Sequence, residues 1–417
     1  LGLLPGHGRA PAAQARGADP GRAPARAGLL LGHGRGPPGI GPGPGGRAPG
    51  ALWARVAVRL VDFIREATPR PWSWAPEIYQ ALEQVPSVYK KLYEQEGLHR
   101  SWRETTTFRL VWRQCRESLL RFLTDTFIEG VDLVVSVHPL INHVMTEALL
   151  EMFQGHSIVP VVTVVTDLGS AHLSWFDPRV DMVFVPTEHM RQLAQHHCVP
   201  SEKIHACGLP VREGFWSADD RPKRELQQQL GLQPEDRPSV VLVMGGGDGF
   251  GSLHAVAVAI GEKLCEMEHG QMVVICGRNE DVQHLLECHP WPRRAGQAAA
   301  ALPFKPSILG FVRNVHEWMG AADCLVTKAG PGSIAEAMIK GLPCLLTSFV
   351  PGQEEANVAL VTDIGAGQFV PDSEPGRVAE TAAEWLRDPE LLRAMARRAR
   401  GLARPRAALE IARKICK

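Results

Sequence analysis

The residues best placed to do chemistry are Lys328-Ala-Gly-Pro-Gly-Ser-Ile-Ala-Glu336 and, shortly after, Pro351-Gly-Gln-Glu-Glu-Ala-Asn357. The apolar run Cys324-Leu-Val-Thr327 delivers a Gly-rich turn into a helix start. Gly330 and Gly332 let backbone N–H groups come close to an anion, and a helix N-terminus favours negative charge. Such a turn holds a diphosphate without a metal or a Walker lysine. Gln353 and Glu354 follow a Pro-Gly turn and carry groups suited to sugar hydroxyls. Together the two segments read as a nucleotide-sugar site.

Each of these residues also has a plainer reading. Ser333 and Glu336 stand three apart, the spacing of a capping box, so Glu336 either caps the helix or accepts from ribose hydroxyls. Gln353 and Glu354 alone would pass for solvated surface, and only the neighbouring phosphate turn gives them weight. Val243-Met-Gly-Gly-Gly-Asp-Gly-Phe-Gly251 is either a tight turn or, through Gly246 and Gly247, a wall against the diphosphate. It departs from the spaced dinucleotide fingerprint, and no acid ends the following strand. His138, Asp167, His172 and Trp175 fall at the ends of two successive strand-like runs, where polar groups face a cleft. Trp175-Phe176 is either core or an apolar lip for a lipid. The arginines from Arg393 to Arg406 read as a solvated helix face, with attraction to an anionic membrane as the lesser alternative.

The elements that must position these groups follow from the hydrophobic pattern. Val56–Asp62, Val131–Val137, Val159–Thr166 and Met182–Pro186 are strand-like, and so are Ser239–Met244, Gln271–Cys276, Cys324–Thr327 and Pro343–Thr347. Most are continuous β-branched runs alternating with helical periodicity, over residues 77–97 and 104–128 for example, which is the mark of parallel sheets covered on both faces. The fold class is α/β. The expected organisation is a domain over residues 56–212, a linker at 213–222, a second domain over 223–390 and a helical segment over 391–417. Residues 292–304 read as an inserted loop. Ligands then bind in the cleft outside the strand ends.

Composition limits the alternatives. The chain has 417 residues, is 45% apolar and 22% charged, and carries zero formal net charge. No nucleic-acid partner is implied. Its nine cysteines show no CxxC and no zinc spacing, so they read as reduced core thiols of a cytosol-like or stromal compartment. No metal site is expected, no Asp-x-Asp motif occurs, and no apolar stretch has membrane-spanning length, which leaves peripheral contact with a membrane surface.

Residues 1–55 stand apart. The first fifty contain no Lys, Glu, Ser, Thr, Val, Phe, Tyr or Trp. Such a segment is expected to be disordered. Its residues also have G/C-rich codons, as expected of a gene read out of frame. Shifted by two nucleotides, His33–Pro42 permits the readout Asp-Thr-Gly-Gly-Gly-His-Arg-Ala-Ser-Ala, a glycine-rich loop entering a helix. On this reading the first strand and the Gly-rich loop of the N-terminal domain are missing, and the frame is lost until about Trp53.

Taken in order, Val135-Ser-Val-His-Pro-Leu140, Val165-Thr-Asp-Leu168, His172-Leu-Ser-Trp-Phe176, Gly208-Leu-Pro-Val-Arg212, Met244-Gly-Gly-Gly-Asp-Gly249, Ile275-Cys-Gly-Arg-Asn279, Lys328-Ala-Gly-Pro-Gly332 and Gly352-Gln-Glu354 resemble the monogalactosyldiacylglycerol synthases of glycosyltransferase family 28. Asp62, Thr68-Pro69 and Pro71 are similar to that family's early Asp-Leu-Trp…Thr-Pro-Trp-Pro segment. The resemblance runs from about Val56 to Phe369. It implies the GT-B fold, two Rossmann-like domains around a cleft, and inverting transfer of galactose from UDP-galactose to diacylglycerol without a cofactor on a chloroplast envelope membrane.

By the same resemblance, Gly330 and Gly332 lie against the diphosphate, Glu336 on ribose, Gln353 and Glu354 on the hexose, and Phe311-Val312 clip the uracil. His172 and Trp175 belong to the acceptor side. The family's base is the His of its first glycine loop, absent from this chain as written, which leaves His138 and His172 as candidates. The alternatives are a UDP-glucose-dependent diacylglycerol glucosyltransferase, a UDP-sugar epimerase, a fragment that only binds nucleotide, and a peptidoglycan-type lipid glycosyltransferase, which the early Thr-Pro…Pro-Trp segment disfavours.

Overall fold

Among the described residues, twelve strands form two parallel six-stranded sheets. The first contains β1 (Arg26–Gly32), β2 (Val56–Asp62), β3 (Leu133–Ser136), β4 (Val161–Val164), β5 (Met182–Val185) and β6 (Ile204–Ala206) in the order β2-β1-β3-β4-β5-β6. The second contains β7 (Val240–Met244), β8 (Gln271–Ile275), β9 (Ser307–Leu309), β10 (Cys324–Thr327), β11 (Cys344–Leu346) and β12 (Gly367–Phe369) in the order β12-β11-β10-β7-β8-β9. The computed structural model describes residues 26–32, 56–75, 77–78, 91, 99, 101–128, 130–156, 158–217, 221–232, 239–245, 252–267, 270–293 and 304–416.

The strand order of the second sheet puts its switch point between β7 and β10, with Cys324 opposite Val241. At that point two neighbouring crossover connections diverge to opposite faces and leave a crevice at the strand ends. β7 ends at Met244 and β10 at Thr327, side by side at this crevice. In the first sheet the switch point lies between β1 and β3, where Leu29 is in register with Val134.

Strand β1 corrects one expectation. The sheet does not lack its first strand, because Arg26–Gly32 runs parallel between β2 and β3 and pairs with both. Overall composition hid the local apolar run Ala27-Gly-Leu-Leu-Leu31, which is long enough for a central strand. The remainder of the segment expected to be disordered or out of frame, including the Gly-rich loop position after Gly32, lies outside the described residues, as do most of 77–97 and of the insertion at 292–304.

Helices cover both faces of each sheet. On the first, the helices Thr106–Ile128 and Pro139–Met152 contribute Leu119, Leu123, Ile141 and Met145 to a core with the fully buried Trp102, Trp175 and Phe176. Burial of each such side chain stabilises by about 1.5–3 kcal/mol. On the second, Trp318, Ile334 and Ala337 pack one face, and Val256, Ile260 and Trp385 the other. The C-terminal helix Ala407–Ile415 returns to the first sheet, where Ile411 packs on Val137, Val162, Val164 and Phe184. This return crosses the connection between the sheets at Gly208, whose φ is +100°. A Cβ there would lie 2.4 Å from Cβ of Arg404, so two chain crossings meet where only glycine fits. Six of the nine cysteines are buried, and all nine are unbridged.

Candidate functional site

The strand β10 ends at Thr327, and the chain turns through Lys328 and Ala329 into the helix Pro331–Lys340. Gly330 is its N-cap, Pro331 occupies the first turn, and Gly341 closes it in the left-handed region. A Cβ added at Gly332 would meet nothing within 4 Å, so the first turn faces open space with its N–H groups available to an anion. Ser333 therefore lies inside the first turn, and no side chain caps this helix. The capping-box alternative for Ser333 and Glu336 is overturned, because Pro331 starts the helix earlier than that spacing assumed.

Glu336 has a different partner. Arg212, from the connection between the domains, donates Nε to Oε1 at 2.8 Å and Nη2 to Oε2 at 2.6 Å. Burial raises the Glu336 carboxyl above its usual value, and the Arg212 hydrogen bonds and charge work against that rise. The sequence pattern alone assigns Arg212 no role. Its only signal in the sequence was its place after Gly208-Leu-Pro-Val, at the end of the first domain.

The loop carrying Gln353 and Glu354 stands beside this helix start. Glu354 is buried and engaged within its own domain: Oε1 accepts from Lys328 Nζ at 2.9 Å and Oε2 from Val350 N at 3.0 Å. It ties the loop that follows Pro351 to the turn that enters Pro331–Lys340. Gln353 is the member of the pair that faces the other domain, with Nε2 3.5 Å from Asp167 Oδ1. A second crossing lies next to it, where Gly169 N donates to Asn357 Oδ1 at 2.7 Å and Asn357 Nδ2 donates to Ala329 O at 2.8 Å. A Cβ at Gly169 would come within 2.5 Å of Ala356 O, so the first domain's loop after β4 is in backbone contact with the second domain.

The structure thus brings Gly330, Gly332, Ser333, Glu336, Gln353, Glu354 and Asp167 to one place. A depression lined by Met244, Ser252, Thr327, Lys328, Thr347 and Asp372 adjoins them at the ends of β7, β10 and β11. The buried Thr327 Oγ1 has no hydrogen-bond partner among the described residues. Phe311 and Val312 follow β9; Phe311 is 57% exposed with the Arg278 guanidinium 5.3 Å from its ring centre, while Val312 packs on the core. Gly246 and Gly247 lie outside the described residues.

On the first domain's side the histidines have structural work. His138 Nδ1 accepts from Leu140 N at 3.3 Å at the start of Pro139–Met152. His172 Nδ1 accepts from Ser174 N at 3.3 Å and lies 2.8 Å from Ser174 Oγ. A neutral ring whose Nδ1 accepts carries its proton on Nε2, where it donates rather than accepts. Burial, then His197 and His143, lower His172 to about 4, so it is neutral at physiological pH. This geometry does not present either ring as a general base.

Trp175 is 1% exposed, so the alternative of an apolar lip at Trp175-Phe176 is overturned in favour of core. Trp175 Nε1 donates to Asp167 Oδ2 at 2.7 Å. Burial is the main reason that Asp167 is raised to about 6, with Trp175 and Gln353 opposing the rise and Glu354 adding to it. Beneath this loop, His143 Nδ1 lies 3.2 Å from Asp177 Oδ2, and Arg179 holds both oxygens of Asp177 at 2.9 and 2.6 Å. No group of three or more potential metal ligands occurs among the described residues.

Residues 54–211 match the family model for monogalactosyldiacylglycerol (MGDG) synthase, and residues 240–411 match that for the glycosyltransferase family 28 C-terminal domain. A probable monogalactosyldiacylglycerol synthase 2, chloroplastic, of Oryza sativa subsp. indica is 36% identical over 365 residues, which are 85% of this chain and 73% of that protein. The chain belongs to the monogalactosyldiacylglycerol synthase family. A probable monogalactosyldiacylglycerol synthase 3, chloroplastic, of Oryza sativa subsp. japonica is 36% identical over 345 residues, covering 80% of this chain, and the chain spans 64% of that relative's length. Among solved structures, MurG of Acinetobacter baumannii superposes with a TM-score of 0.55 at 15% identity over 94% of this chain and 99% of that one, which shows the GT-B fold.

Proposed function

We propose that this chain is a galactolipid-forming glycosyltransferase, moving galactose from UDP-galactose to 1,2-diacylglycerol with inversion. The observation that carries the reading is the open first turn of Pro331–Lys340 at the switch point, flanked by Glu336 and Gln353 and faced across the cleft by Asp167. In this reading the diphosphate lies over Gly330 and Gly332, the ribose against Glu336, the hexose against Gln353, and the uracil by Phe311 and Val312. Glu354 and Lys328 shape the sugar loop.

The chemistry is one displacement at the anomeric carbon. The lipid hydroxyl loses its proton to a base and attacks that carbon, the bond to the diphosphate oxygen breaks, and UDP leaves with the charge it gains. The N–H groups of the first turn stabilise that charge as it develops, so the proposed step needs no metal. With His138 and His172 engaged as caps, the base is assigned to the His of the re-framed loop after Gly32. No described helix is long and apolar enough to cross a membrane. The relatives' names say chloroplastic, which supports a chloroplast location, and we propose peripheral contact with the envelope membrane. Product analysis with UDP-galactose and UDP-glucose, with and without diacylglycerol vesicles, tests the reading. A β-galactosyl lipid is expected; a glucosyl lipid would reassign the donor, and conversion of the UDP-sugar without lipid would make the protein an epimerase.

A further inference from the structure

Asp167 is 8% exposed, follows β4, and among the described residues meets the other domain through Oδ1. Its Oδ2 accepts from Trp175 Nε1 at 2.7 Å, while Oδ1 lies 3.5 Å from Gln353 Nε2. Trp175 is part of the first domain's core, so the carboxylate is held from behind. An indole nitrogen only donates and an ionised carboxylate only accepts. With Asp167 ionised, Gln353 can therefore turn only its NH2 group toward it. The amide's acceptor, Oε1, then points away from Asp167.

We propose that Asp167 is a specificity-determining positioning residue, which with Trp175 behind it fixes the Gln353 amide so that Oε1 is the atom offered to a hydroxyl of the donor hexose. This deepens the proposed function and rests on its reading of the site as one for a UDP-hexose. The loop carrying Gln353 is itself anchored by Glu354 on Lys328 and Val350, so the amide's orientation is set from across the cleft. A hexose hydroxyl meeting Oε1 must donate, and the reversed amide would offer it a donor instead.

The substitution Asp167→Asn reverses the logic with almost no change in shape. The indole N–H of Trp175 still requires an acceptor, so the Asn oxygen turns to it and the Asn NH2 faces Gln353. Gln353 must then present Oε1 to position 167 and its NH2 to the hexose. Changing Gln353→Glu in the same protein removes that conflict, since a carboxylate accepts at both oxygens. Protonation of Asp167 acts like Asp167→Asn. The charged group facing Asp167 is Glu354, itself paired with Lys328, and burial with Glu354 raises Asp167 to about 6.

The test is calorimetric binding of UDP-galactose and UDP to the chain as it stands. In Asp167→Asn, UDP-galactose should weaken about tenfold, as expected for a buried site whose polar group no longer matches its ligand, while UDP is unchanged. The double variant with Gln353→Glu should recover most of that loss. In the wild type, affinity for UDP-galactose should fall toward that of Gln353→Ala as the pH drops through about 6. This arm stands even if Asp167→Asn does not fold. Equal loss for both ligands, failure of the double variant to recover, or a pH-independent gap between wild type and Gln353→Ala would overturn the proposal. A wild type that binds neither ligand overturns the nucleotide-sugar reading itself, and this inference with it.

Discussion

Arg212 grips both carboxylate oxygens of Glu336, so the connection between the two domains is tied to the helix Pro331–Lys340. The pair is mostly buried, with side-chain exposures of 27% and 7%. Glu336→Gln leaves Arg212 with a neutral partner and should cost roughly 1–3 kcal/mol in denaturant titration. It should also shrink the difference in affinity between UDP and 2′-deoxy-UDP, if ribose shares the carboxylate. Loss of stability with that difference intact would leave Glu336 a purely structural partner of Arg212.

Gly332→Val places a side chain in the open space above the first helical turn. The backbone there is helical, so the fold should tolerate the change with little shift in melting temperature. UDP affinity should fall at least about tenfold, because the diphosphate can no longer reach the N–H groups. Uridine, which lacks the phosphates, should bind as before. Unchanged UDP affinity in the folded variant would remove the diphosphate from this turn.

Asp177 is fully buried between His143 and Arg179. Burial alone would raise its carboxyl, but the hydrogen bonds and charges of His143 and Arg179 prevail and hold it well below the usual carboxylate range. A depressed acid contributes stability above its unfolded value, about 3.9, and loses it as the pH falls below that. Asp177→Asn should cost about 3 kcal/mol at neutral pH and flatten the acid limb of the stability curve. Wild-type stability at neutral pH in this variant would show that the pair is dispensable.

Long β-branched runs made most of the sheets legible. Val161–Val164, Val240–Met244 and Cys324–Thr327 fall inside or on the expected strands. Ile204–Ala206, Ser307–Leu309 and Gly367–Phe369 are not legible, because three residues carry no periodicity and, unlike Cys344–Leu346, these mix polar residues or glycine into the run. The strand Arg26–Gly32 was masked by the composition around it. At the site, local chemistry points to the Gly-rich turn and to Gln353, which the structure brings close together. The roles of Arg212, Asn357 and Gly169 were not, because each depends on a partner from the other domain, more than 100 residues away in sequence. Trp175 shows the same limit: an aromatic at a strand end reads as lip or core, and only its burial against Ile141 and Phe176 decides.

We propose galactosyl transfer to a lipid with a base supplied by the re-framed segment after Gly32. The direct measurement compares the chain as written with one whose residues 33–55 are replaced by the re-framed segment carrying Gly-Gly-Gly-His-Arg-Ala-Ser, and with the same replacement bearing Ala for that His. Each is incubated with UDP-galactose and diacylglycerol vesicles, and the lipid product is identified by mass spectrometry and its anomeric coupling by NMR. The re-framed protein should make β-galactosyl diacylglycerol, and the other two should be slower by about two to four orders of magnitude, the usual cost of a missing general base. Equal rates for all three proteins would contradict the assignment of the base, and absence of the galactolipid from the re-framed protein would contradict the proposed function.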